Sequence, residues 1–407
     1  AVTNPGVMGA PVPGQTFNLD ARLELRGRLE VKAGATAVSG AAGWQVQQAS
    51  PGSFRVTLAP DAPISSKPYF YRNGLQDSRY TLADPSQFGR PVAPAPLVAS
   101  AQYSIGDVPV TIREEVTRLE SKAPYGNVAR TVRSVPRVAI TIAPVNAIVP
   151  VGQKGRSVDL TVSLLHNAES PSNGQLVLRL PDGWRAKPAS QAFGFTRAGE
   201  QLSIKFTVTP AALSAQAYEV EAAAIDGLAE YREGYELIDH RDLEARYLYR
   251  DATTIVRGVN VNTVPGLKVG YVMGIGDQVP QGLQQLGAQV TLLGERELAS
   301  ANLAAYDTII TGTRAYAVRD DLKTYNARLL EYARAGGNVI VLYNTQEFVP
   351  NTFAPFPADL PRTAEEVSEE DSPVSILAPT HQLFNWPNRI TNADFEGWME
   401  QRGSKFF

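Results

Sequence analysis

The sequence predicts two β-sandwich modules followed by a parallel α/β domain, and three observations carry that prediction. Up to about residue 230, short alternating runs such as Phe17–Leu25, Ser53–Leu58 and Val108–Val116 are punctuated by Pro and Gly, without a sustained helical period. One order of motifs occurs twice in that stretch. Pro13-Gly14-Gln15 leads to Gly43-Trp44 and then to the run Phe54 to Pro60, and Val151-Gly152-Gln153 leads to Gly183-Trp184 and then to Leu202 to Pro210. From about Leu267 the apolar period changes, and strand-like runs alternate with helical ones.

In each copy of the repeat about thirty residues separate Gly-Gln from Gly-Trp, which is room for a strand, a turn and a second strand. Two related, immunoglobulin-like sandwiches are therefore expected, over residues 1–136 and 137–228. Trp44 and Trp184 hold equivalent places and are expected in the two cores. The first module carries an insertion at 67–96, rich in aromatics, Arg and Pro, in which Asn73-Gly74 marks a turn because both residues tolerate positive φ. The module boundary falls near Pro136 to Pro150, where Arg137 to Ile142 reads as a strand bracketed by prolines. Residues 229–264 are expected as a linker.

The α/β domain is expected over 265–407. Leu267 to Met273 reads as a buried strand, and Asp277 to Leu286 as a helix with Val279, Leu283 and Leu286 on one face, closed by Gly287. Strands at Gln289 to Leu293 and Asp307 to Thr311 follow. A helix over Asp321 to Arg334 then aligns Leu322, Tyr325, Leu329, Leu330 and Ala333, and Gly336-Gly337 breaks into a strand from Asn338 to Tyr343. This pattern is that of a Rossmann/flavodoxin-like (amidotransferase-like) fold. Only four strands are visible and the stretch from Thr345 to Phe407 is loop-rich, so the domain is expected to be incomplete at its C-terminus. The apolar residues of that tail, Phe348, Phe353, Phe356, Leu383, Phe384 and Trp386, are expected to cover the edge or mouth of the sheet.

Charge and composition exclude several functions. The formal net charge is -3 with acids and bases intermixed, so there is no basic stripe to neutralise nucleic-acid phosphates. No apolar run is long enough to span a bilayer, and Ala1 to Gly14 is Pro/Gly-rich rather than a charged segment followed by an apolar one. With no Cys, the chain has no disulfide, thiolate ligand or Cys nucleophile. Because the first residue is Ala1, a processed product or a piece of a longer polypeptide is expected.

The candidate chemistry is sparse. Gly274-Ile-Gly276-Asp277 follows the first α/β strand where a dinucleotide fingerprint would lie, and Glu295 ends the second strand where an acid could bind ribose. The third glycine is replaced by Val279, and Asp277 would set a carboxylate where the pyrophosphate must sit, so Asp277 is expected as an N-cap and no cofactor is expected in this chain. A ligand in such a sheet would meet the carboxyl ends of the strands, which makes Gly274, Gly276, Asp277, Arg314, Asn344 and Glu347 the candidate cleft. No Gly-x-Ser-x-Gly elbow occurs, and the Cys that glutamine amidotransferases place after such a strand is missing, so no catalytic residue is expected. His166, His240 and His381 are isolated; His240 lies between Asp239 and Asp242, which reads as a hydrated segment rather than a metal site. The acidic run Glu365-Glu366 to Glu369-Glu370-Asp371 lacks the spacing of a calcium loop. Tyr69, Tyr71, Arg72 and Tyr80 crowd the insertion and form a candidate aromatic contact surface, for an interdomain contact first and for carbohydrate second.

The segments Lys67-Pro-Tyr-Phe-Tyr-Arg72, Leu180-Pro-Asp-Gly-Trp184, Val269 to Asp277, Tyr306-Asp307, Arg314-Ala-Tyr316, His381 to Ile390 and Phe395-Glu-Gly-Trp398 occur in a telling order. Together they resemble the C-terminal region of large bacterial PIG-L (LmbE-like) family deacetylases. The second sandwich is similar to the one associated with α-galactosidases. The family's chemistry belongs to an N-terminal domain with a His-Pro-Asp-Asp type zinc motif; no segment here matches it, so zinc is implied only for that domain of a longer parent. The resemblance implies a non-catalytic binding and scaffolding region of a secreted N-acetyl-sugar deacetylase, outside the cytoplasm in the periplasm or at the cell surface. Its partners would be the N-terminal deacetylase domain of the same polypeptide or cell-envelope proteins, with carbohydrate as a further ligand. A cell-surface structural protein assembling through tandem sandwiches is the alternative, and an independent glycosidase with an unlocated carboxylate pair comes third.

Overall fold

The computed structural model describes residues 1–25, 27, 30–72, 77–152, 156–227, 229–240, 243–264, 266–358 and 372–396. The expected Asn73-Gly74 turn, Gln153, Asp242, the acidic run at 365–371 and the aromatic end at Trp398 and Phe406-Phe407 lie outside them. The chain divides into two compact units, the first being Ala1–Val145, Asp159–Ala211 and Glu219–Ile255, the second Asn146–Val158, Ala212–Tyr218 and Val256–Phe407.

The first unit holds both sandwiches. In the first of them a six-stranded sheet runs Gly126–Thr131, Thr117–Lys122, Val2–Val7, Thr16–Asp20, Ser53–Leu58, Trp44–Ser50, and a three-stranded sheet runs Val31–Gly40, Leu97–Ile105, Val108–Glu115. Alternation sends Phe17 and Leu19, Phe54, Val56 and Leu58 inward, where they join Trp44, Leu97 and Ala99 in one core. The second sandwich sets Val138–Ala143, Val158–His166, Gln201–Thr209 and Arg185–Lys187 in one sheet. Its other sheet pairs Ser172–Arg179 with both Ser190–Phe195 and Ala217–Asp226. His166 falls on the inward face, where Arg197 O and Ser172 Oγ, each 3.0 Å away, occupy its ring nitrogens and Phe195 stacks on it. It is a hydrogen-bonded core residue.

The repeat is present in three dimensions. Gly43 and Gly183 both take left-handed backbone (φ 79° and 77°), and a Cβ on either would approach an alanine methyl, of Ala62 at 2.9 Å and Ala211 at 3.1 Å. In both copies the following Trp donates its N–H to the carbonyl three residues back, Trp44 to Ala41 and Trp184 to Pro181. The strand that begins there pairs antiparallel with the later strand of the copy, with Trp44 opposite Leu58 and Arg185 opposite Thr209. Both indoles are buried, at 5% and 7% exposure.

Residues 229–264, expected as a linker, are mostly strand: Ala229–Tyr231, Glu233–Ile238, Arg246–Asp251 and Thr253–Val259. The reason is a cross-strand aromatic ladder. Glu233–Ile238 and Arg246–Asp251 form an antiparallel hairpin in which Tyr235 faces Tyr249 and packs against Tyr247. Gly234 lets this hairpin approach the second sandwich, since a Cβ there would come within 2.4 Å of Ile140 O.

In the second unit four parallel strands lie in the order Gln289–Leu292, Lys268–Val272, Thr308–Thr311, Asn338–Val341. Helices Val279–Leu286, Glu295–Ser300 and Asp320–Arg334 occupy the connections, the second of which the sequence patterns did not reveal because it spans only six residues. Lys268–Val272 is buried on both faces, as a central parallel strand must be: Val269 and Tyr271 join one apolar cluster, Val272 the other. Segment Asn146–Val158 also falls in this unit, though its strand Asn146–Pro150 is not part of the parallel sheet, and Ile148 N–H donates to Gln285 Oε1 of the first helix at 2.8 Å.

Replacing Trp44 or Trp184 by Ala should each destabilise its sandwich by about 3–5 kcal/mol. Trp386→Ala, at a site 62% exposed, should stay within about 0.5 kcal/mol of wild type. Urea titrations followed by circular dichroism measure the difference.

Candidate functional site

The six strand-end candidates lie in the loops at the carboxyl ends of the parallel strands, where Arg314 pairs with Glu347 and Asp277 and Asn344 bond to neighbouring residues. A Cβ on Gly274 would stand 2.0 Å from Thr313 O, and Ile275 N–H donates to that same carbonyl at 3.0 Å. The loops after the first and third strands are thus zipped together. Gly276 turns the chain with φ 109°. Asp277 Oδ1 accepts from Tyr271 Oη at 2.7 Å and from Val279 N–H at 3.1 Å, while Oδ2 accepts from Thr313 N–H at 3.4 Å. The helix starts at Val279 with Gln278 in the N-cap position, one residue beyond the cap expected at Asp277; Asp277 reaches the same orphan N–H from one position further out. Its carboxylate thus ties the helix start to the first strand and to the loop after the third.

Arg314, Asn344 and Glu347 form a second group. Arg314 has φ 51°, the left-handed region, the one such non-glycine among the described residues. Its N–H donates to Tyr343 O at 2.7 Å and its Nε to Glu347 Oε1 at 2.8 Å. Asn344 accepts from Tyr316 N–H and donates to Leu342 O. Burial pushes the Glu347 carboxyl up, but Arg314, the Thr345 hydroxyl and loop N–H groups outweigh it and bring it down to about 2. Arg319, which the sequence reading passed over, donates to Met273 O and Leu293 O and pairs with Asp321, so it ties the ends of the first two strands. Of the tail, Phe348 and Phe353 pack on Tyr316 at 5.0 and 4.9 Å between ring centroids. Phe356, Leu383 and Trp386, expected to cover the edge or mouth of the sheet, are exposed, with Leu383 lining a groove along the last strand. The short helix Pro350–Phe353 holds only the near aromatics against the core.

The aromatic insertion divides. Tyr71, Arg72 and Tyr80 are exposed, with the Arg72 guanidinium 5.8 Å from the Tyr80 ring centre, whereas Tyr69 is buried and donates its hydroxyl to Arg90 O. The root of the insertion contacts the tyrosine hairpin: Ser66 Oγ lies 2.7 Å from Tyr249 Oη, and Lys67 pairs with Glu233 and sits over the Tyr249 ring. Arg133 holds the insertion by donating to the carbonyls of Ser65 and Ala93.

Beside this contact lies a cleft of about 640 Å³ between the hairpin Thr117–Lys122/Gly126–Thr131 and Leu237, Asp239, His240, Leu243 and Glu244 in or beside the strands of the tyrosine hairpin. At its base Asp239 accepts from Lys122 Nζ at 2.5 Å and from Arg130 at 2.8 Å, and these cations hold its carboxyl below the usual range. Sequence reasoning placed Asp239 in a hydrated linker, and only the alternation Arg118, Glu120, Lys122 along one strand hinted at a charged wall. Among the described residues no group of three or more His, Cys, Asp or Glu is arranged to hold a metal, and no helix is long and apolar enough to cross a membrane.

Two outcomes are expected at the strand-end site. Arg314→Gly should be more stable than Arg314→Ala by about 1 kcal/mol, because both lose the Glu347 pair but only glycine releases the left-handed strain. The Glu347 pair contributes stability above the ordinary glutamate value of 4.5 and loses it as pH falls towards about 2, so the stability gap between wild type and Glu347→Gln should close over that window in denaturant titrations.

Residues 153–225 match the family described as the NPCBM-associated NEW3 domain of alpha-galactosidase, in agreement with the resemblance noted for the second sandwich. No curated protein matches the chain. Among solved structures, the MSP family member WR4 of C. elegans is 8% identical, covering 30% of this chain and 97% of its own, with a TM-score of 0.19. The cupredoxin domain of amoB from Nitrosocaldus yellowstonii is 11% identical over 32% of this chain and 93% of its own, with a TM-score of 0.20. The human CEP192 PapD-like domain 7 is 10% identical over 32% and 92%, also at 0.20.

Proposed function

We propose that this chain is a non-catalytic binding and scaffolding region of an extracytoplasmic enzyme acting on N-acetylated sugars, of the PIG-L (LmbE-like) deacetylase kind. The observation that carries the reading is the match of residues 153–225 to a domain named for alpha-galactosidase, an enzyme of glycans. The segments Lys67–Arg72, Val269–Asp277 and His381–Ile390, which resemble the PIG-L family, support the more specific part. In this reading the second unit is a flavodoxin-like domain whose strand order has its first strand between the second and third, and whose strand-end groups serve structure. The zinc chemistry belongs to another domain of the same polypeptide, and none of the residues described here is assigned to it.

The reading makes two measurable demands. The polypeptide isolated from its native source should have a mass well above 44.0 kDa and should release acetate from N-acetylated sugars, while the 407-residue chain alone reads background. A native mass equal to that of this chain would overturn the reading and favour a surface protein that assembles through its sandwiches.

A further inference from the structure

The cleft between the Thr117–Thr131 hairpin and the tyrosine hairpin has the chemistry of a ligand site. Its volume of about 640 Å³ falls within the range of about 300–1,000 Å³ common to small-ligand sites. Three carboxylates line it, Glu120, Asp239 and Glu244, and so do three cations, Lys122, Arg130 and Arg133. With His240 counted neutral the wall carries no net charge. Asp239 holds Lys122 and Arg130 in place, so donors and acceptors stand side by side before any ligand arrives. Tyr125, 56% exposed, and the exposed side chains of Leu237 and Leu243 supply apolar surface next to these groups.

We propose that this cleft binds a neutral oligosaccharide. Each sugar hydroxyl both donates and accepts, and so suits a wall that offers carboxylates and cations together, with Lys122, Arg130 and Asp239 held by their ion pairs. The C–H face of a sugar ring suits Tyr125. An anionic ligand would meet Glu120, Asp239 and Glu244, and a cationic one Lys122, Arg130 and Arg133; either would lose on one set of neighbours what it gained on the other. The ligand class rests on the glycan-associated reading above, while the site itself rests on the cleft geometry.

Calorimetry on the full 407-residue chain tests both parts. The probes are chitotetraose, cellotetraose and a β-galactan tetrasaccharide, with tetragalacturonate and the glucosamine tetramer as charged controls. At least one neutral probe should bind saturably, and the charged controls more weakly. Tyr125→Ala and Lys122→Ala should each weaken that binding about tenfold, with the thermal midpoint of Tyr125→Ala unchanged. Saturable binding indifferent to both substitutions would overturn the cleft and leave the glycan-associated reading standing. Failure of every neutral probe, or a preference for a charged control, would overturn the cleft even if the native polypeptide proves to be a larger deacetylase.

Discussion

The hairpin formed by Glu233–Ile238 and Arg246–Asp251 is the constraint on which the arrangement of the first unit depends. Its strands touch both sandwiches through groups that tolerate little displacement. Tyr235 Oη donates to Asn167 of the second sandwich, and Tyr249 Oη meets Ser66 at the root of the first sandwich's insertion. Burial pushes both phenols well above their ordinary pKa, so they remain neutral hydrogen-bonding groups. At the hairpin's turn end Asp239 takes Lys122 and Arg130 from the first sandwich. A shift of either sandwich would strip partners from several half-buried polar groups together, and an unpaired buried group costs about 1–3 kcal/mol.

That constraint also creates the cleft. Asp239 joins the two hairpins, and its ion pairs with Lys122 and Arg130 fix polar groups that line the space between them. Arg133 links this cleft to the insertion, since its guanidinium is taken up by the Ser65 and Ala93 carbonyls and burial lowers its pKa. The residues that line the cleft therefore also hold the first unit together.

The second unit contrasts with this. A parallel sheet ordinarily offers its ligand crevice at the carboxyl ends of its strands. Here the loops after the first and third strands bond to each other, Asp277 is shared among Tyr271, Val279 and Thr313, and Arg319 caps two strand-end carbonyls. Arg314 accepts a strained backbone and gains in return the Glu347 pair and the Tyr343 carbonyl. These polar groups bond the strand-end loops to one another.

Local pattern was enough to determine the elements whose side chains repeat with a fixed period. Ser53–Leu58, Val158–His166 and Lys268–Val272 declare themselves by alternation or by continuous burial, and the Gly-Trp turns declare themselves because a left-handed glycine must precede each buried indole. The strand-end cluster was legible as a place, since strand ends follow from strands, though its hydrogen bonding was not. The tyrosine hairpin was not legible as structure, because its alternation of Tyr with Glu, Leu and Arg has no apolar face until a second element supplies one. Asp239 is 109 residues or more from its partners Lys122 and Arg130, and such a pairing leaves no mark on local sequence. Only the tertiary structure, which brings two distant hairpins within hydrogen-bond reach, decided that these three charges belong together.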